Sequence, residues 1–110
     1  MAELSRAEKK ALRELAGAAY EAEARLALDE LDAHFQRWRE GETLGSELIA
    51  AIHEFHQQDA RVLWSTYQAL KEPDIVARGL ALGLIEVDSV PDQLRSKLAP
   101  LVAHFSRSSA

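Results

Sequence analysis

The chain has 110 residues, a 47% apolar and 28% charged composition, no cysteine and a formal charge of −5. That size suits one domain, or one half of an intertwined dimer, and the composition excludes a disordered chain. Without cysteine there is no disulfide, thiolate metal site or thiol nucleophile, and the negative charge works against binding nucleic acid, whose phosphates call for cations.

Ser5-Arg6-Ala7-Glu8 fits a capping box, in which hydroxyl and carboxylate satisfy the first free amides of a helix. No proline follows until Pro73, and Gly41 is the first stop, a left-handed residue just past a helix end. The first long helix is therefore expected over residues 5–41. Leu12, Leu15, Ala19, Ala22 and Leu26 form one apolar stripe along it; Leu28, Leu31, Phe35 and Trp38 form a second. At 3.6 residues per turn the second stripe lies about 160° around the axis from the first. Either the helix bends near Gly17 or Leu26, or each half packs on a different neighbour, for which a second subunit is a natural choice.

A short loop then demands an antiparallel return by a second long helix over residues 43–71, with Thr43 or Ser46 as its N-cap. Leu48, Ile52, Phe55, Leu63 and Leu70 mark its apolar face, and His56 and Asp59 fall within it. With no Gly or Pro in Gln57-Gln58-Asp59, the helix is read as continuous.

Pro73 and Asp74 restart the chain in a short, nearly all-apolar helix reaching about Glu86. Gly79 and Gly83, four apart, read as a site of close backbone approach. A last helix follows from Ser89-Val90-Pro91-Asp92, with Leu94, Leu98, Leu101, Val102 and Phe105 on its apolar face and Pro100 as a kink or late break. These shorter C-terminal helices occupy residues 73–105, and residues 106–110 read as a polar tail. The expected architecture is a single all-α domain of four to five helices: an antiparallel hairpin of two long helices, with the shorter C-terminal helices packed across it.

Two functional readings follow, and no family motif is matched by these residues. The leading one is a non-enzymatic protein-interaction module, a homodimer or a partner of another protein, with Trp38 and Trp64 as interface anchors, because tryptophan concentrates at interface centres. The alternative is a divalent-metal protein or metal-dependent enzyme built on His53, His56 and Asp59, whose spacing of three places two imidazoles and a carboxylate along one helical flank. His34 is a candidate third nitrogen for it. On the leading reading no cofactor is expected, and His56 and Asp59 are structural, bonded to each other or to a neighbouring helix inside the bundle. Glycine-rich phosphate loops, a G-x-S-x-G elbow and the H-E-x-x-H pair are absent, since Gln57 stands four after His53. No apolar run approaches the roughly 20 residues of a membrane span, nor is there a signal-peptide pattern. The expectation is a soluble, cytoplasmic protein that contacts neither nucleic acid nor membrane.

Overall fold

In a computed structural model describing residues 3–108, every regular element is helical. The elements are α1 (Arg6–Arg39), α2 (Gly45–Glu54), a π-helical turn (Phe55–Ala60), α3 (Arg61–Ala69), α4 (Glu72–Leu82), a 3-10 turn (Val87–Ser89) and α5 (Asp92–Ser108). The all-α class is as expected. No helix among the described residues is long and apolar enough to cross a membrane.

The chain gathers into two compact units. One, the terminal unit, takes the chain up to Ala22 and from Leu70 onward; the other, the hairpin unit, is Glu23–Ala69. α1 is uninterrupted at Gly17 and Leu26, and it gives one half to each unit.

The terminal unit holds ten of the eleven buried apolar residues among those described. They are Leu12, Ala16 and Ala19 of α1, Ile75, Val76 and Ala77 of α4, Ile85 and Val90 of the connection, and Leu94 and Leu98 of α5. α4 and α5 pack directly on each other. Gly79 lets Ile85 and α1 close over α4: a Cβ placed there would stand 2.7 Å from Ile85 Cδ1 and 3.3 Å from Ala19 Cβ.

Gly83 departs from its expected role. It is exposed, and nothing would lie within 4 Å of a Cβ there. α4 ends at Leu82, short of Glu86, and Gly83 caps it at φ 76°, with Leu84 N–H donating to the Gly79 carbonyl at 2.8 Å. The two glycines thus serve different needs. Gly83→Ala is expected to cost about 1–2 kcal/mol through the left-handed backbone alone. Urea titration measures it; an unchanged midpoint would remove the strain argument.

α5 runs through Pro100 without a break. Pro100 and Ser96 are both exposed, so water can serve the carbonyl that the missing N–H leaves unpaired. Residues 106–108, read from the sequence as the start of a tail, form the last turn of α5, where Ser108 Oγ donates to the His104 carbonyl at 3.1 Å. Residues 109–110 of that tail lie outside the described residues.

The capping box at the start of α1 forms as the sequence suggests: Ser5 N–H donates to Glu8 Oε1 at 2.9 Å and Glu8 N–H to Ser5 Oγ at 3.1 Å. Lys97 of α5 adds what local sequence could not show, donating from Nζ to Glu8 Oε1 at 2.7 Å and to the Glu3 carbonyl at 2.9 Å. Lys97, and then the Ser5 amide, hold the Glu8 carboxyl below its ordinary value of 4.5, although burial pulls the other way. A carboxyl depressed in the folded state stabilises it fully above 4.5, and that stabilisation fades as pH falls from there through the folded-state value. The stability gap between wild type and Glu8→Gln is therefore expected to shrink below pH 4.5. Denaturation midpoints from pH 7 down to about pH 3 read it directly; a gap constant across that range would contradict the pairing.

Candidate functional site

The hairpin unit pairs the second half of α1 with α2, the π turn and α3. Gly41, at φ 77°, ends α1 as expected, and Glu42 N–H returns to the Arg37 carbonyl at 2.9 Å. The N-cap of α2 is Leu44, in place of Thr43 or Ser46. Leucine has no acceptor to offer, so only half a capping box forms, with Leu44 N–H donating to Glu47 Oε1 at 3.3 Å. Antiparallel alignment then follows along the pair. Arg37 shares a groove with Thr43 and Glu47 near the turn, and Leu31 and His34 line another with Ala51 and Phe55 at mid-length. At the far end Tyr67 Oη donates to Glu23 Oε1 at 2.7 Å. This cross-helix bond is invisible in either helix's own periodicity.

The polar residues singled out in the sequence do not converge. His53 lies near the end of α2 and is exposed. His56 and Asp59 sit in the π turn, and both are exposed too, where burial within the apolar face was expected. Asp59 lines the inter-helix groove with Glu30, His34 and Glu54, whereas His56 lines a different groove with Gln57, Ala60, Arg61 and Trp64. The physical reason is the turn itself: i→i+5 bonding spreads residues three apart further around the axis than an α turn does. Among the described residues no group of three or more His, Cys, Asp or Glu side chains is arranged to hold a metal ion. His34 Nδ1 lies 2.9 Å from the Arg37 guanidinium, and Arg39 stands 5.7 Å over the Phe35 ring. Arg37 and Arg39, in the last turn of α1, thus have contacts along their own helix.

The apolar surface is more distinctive. Leu48 alone is buried among Glu23–Ala69, while Leu26, Leu28, Trp38, Leu44, Ile49, Val62 and Trp64 are 45–67% exposed. Both tryptophans named from the sequence are in this set, with the Trp38 indole Nε1 3.8 Å from where a Gly45 Cβ would stand. In α1's second stripe, Leu31 and Phe35 are half-buried between exposed Leu28 and Trp38. Leu44, Ile49 and Val62 were not singled out, because no periodic pattern distinguishes an outward leucine from an inward one.

Charge is divided as unevenly as the core. Nine carboxylates and four arginines lie between residues 23 and 69, which accounts for the whole formal charge of −5. No family model, curated protein or solved structure matches the chain.

Proposed function

We propose that the protein is a non-enzymatic interaction module whose Glu23–Ala69 hairpin pairs with a second copy of itself. The observation that carries this reading is the inversion of burial there: one buried residue against seven large, exposed apolar ones. Two helices alone cannot enclose a core, whereas two such hairpins side by side make four helices around a shared one. Each exposed side chain offers on the order of 100 Å², and because Leu26 and Leu28 lie about 160° apart around α1, a single interface takes up only part of the set. Trp38 and Trp64 would supply its largest anchors. Copies carrying −5 apiece repel, so pairing is expected to strengthen as salt screens the charge.

Light scattering across the micromolar range, at about 50 mM and about 500 mM salt, tests the proposal. The expected mass is that of two chains, with the dimer more populated at high salt. Leu28→Gln, Ile49→Gln and Trp64→Gln together are expected to leave helical circular dichroism intact and to return the mass to one chain. A monomer at every concentration and both salts would refute self-association. A dimer unaffected by the triple substitution would move the interface elsewhere.

A further inference from the structure

The second helix changes its period at one place. Leu48 is buried and Ile52 and Phe55 are half-buried, a seam in step with an α-helix. Continued at 3.6 residues per turn, that seam would next pass through Asp59, Val62 and Thr66, all within about 40° of Leu48. The observed seam runs one residue later. Val62 is 63% exposed, and Leu63 and Tyr67 turn inward, with Thr66 half-buried beside Tyr67.

The π turn supplies the surplus residue. Its i→i+5 bonds take one residue more to close than an α turn, so everything downstream is set back by about 100°. Tyr67 thereby occupies the place Thr66 would otherwise take, and its hydroxyl reaches Glu23 Oε1 at 2.7 Å.

The geometry points to a register device: α3 has two settings against α1, and the π turn selects between them. In the wide setting Leu63 and Tyr67 face inward. With the turn closed to α spacing, α3 rotates by one residue and Val62 and Thr66 replace them. The exchange is confined to the turn and needs no unusual backbone conformation at its ends. Glu54 and Arg61, on either side of the turn, already hold α dihedrals (φ −63°, ψ −42° and φ −68°, ψ −44°), and the six residues between contain neither glycine nor proline. The wide setting gains larger inward side chains and the Tyr67–Glu23 bond. The closed setting gains better-aligned helical hydrogen bonds. Either setting places an aliphatic residue at 62 or 63 inward and leaves the other out, so the exchange changes which apolar groups the hairpin presents. It takes place within one chain and does not depend on self-association.

A chain without native cysteine allows the register to be read by thiol labelling under reducing conditions. Val62→Cys and Leu63→Cys are each prepared with Tyr67 intact and with Tyr67→Phe, which removes the bond that holds the wide setting. With Tyr67 intact, position 62 is expected to label several-fold faster than position 63. Tyr67→Phe should slow labelling at 62 and speed it at 63. Deleting Gln57 in the Tyr67→Phe background removes the surplus residue, locks Leu63 inward in an α-spaced helix, and should restore the original ratio. An unchanged ratio in Tyr67→Phe overturns the proposal. So does acceleration at both positions together, which reports loosening or unfolding, and so does a ratio that Gln57 deletion leaves altered.

Discussion

Leu98→Ala is expected to destabilise the protein by about 2–5 kcal/mol, among the largest effects of any single truncation at the described residues. Leu98 is 0% exposed at the middle of α5, and Leu94, Leu12 and Val76 are its equally enclosed companions in the terminal unit. Removing three carbons there loses their transfer free energy and leaves a cavity that neighbours on three helices cannot collapse to fill. For a domain near 100 residues the melting temperature should fall by on the order of 10–20 °C. Leu28→Ala is the matched control, since the same side chain is 53% exposed in the hairpin unit. Measured on dilute protein it should change stability by no more than about 0.5 kcal/mol. Urea titrations of both variants settle the contrast. A Leu98→Ala cost below about 1 kcal/mol would mean that the terminal unit has no fixed core.

Gly79→Leu should follow closely, at about 3 kcal/mol, the top of the range for forcing volume into a packed site. Even the first added carbon meets Ile85 Cδ1 at 2.7 Å, Ile85 Cγ1 at 3.1 Å and Ala19 Cβ at 3.3 Å. Ile85 is buried and Ala19 has no freedom to move aside. Gly79→Ala sets this crowding against the roughly 1 kcal/mol that alanine gains over glycine in a helix. The crowding is expected to win, with a net loss of about 1 kcal/mol. Ile85→Val provides the check because it deletes the Cδ1 atom nearest the new methyl group. Alone it should cost about 0.5–1.5 kcal/mol, yet combined with Gly79→Ala the two losses should fall short of their sum. Strict additivity in that cycle, or a gain in stability for Gly79→Ala, would show that α4 is not held close at Gly79.

The two glycines show how far local pattern reaches. Their spacing of four suggested one role, but Gly83 lies past the helix end at φ 76°, where conformation and not contact requires glycine. The sequence could not separate these cases, because the helix stop depends on how the connection through Ile85 folds back over Gly79.

His56 and Asp59 make the same point in the hairpin. Their position in the apolar face presumed an unbroken α period from Leu48 to Leu70. The step from Phe55 to Leu63 is eight residues, one more than the seven that continue that period, and the π turn takes up the difference. The signal was present, though a list of apolar residues alone hides it. With the turn widened, Asp59 lines one groove with His34, and His56 lines another with Trp64.

By itself the sequence determined what depends on neighbours within a few residues. The all-α class follows from composition and period, the Ser5–Glu8 box from spacing, and the left-handed stop at Gly41 from the residue type that adopts it at least cost. Tertiary structure alone decided which apolar stripes are enclosed. Leu12 and Leu28 are the same residue on the same helix, yet one is 2% and the other 53% exposed. The difference lies in what is packed beside each half of α1, and the packing partners are set by contacts between residues tens of positions apart. Lys97 and Glu8 are likewise 89 residues apart in sequence, and Tyr67 and Glu23 are 44 apart. A helical period specifies which side of a helix is apolar, and only the assembled chain specifies whether anything is there to cover it.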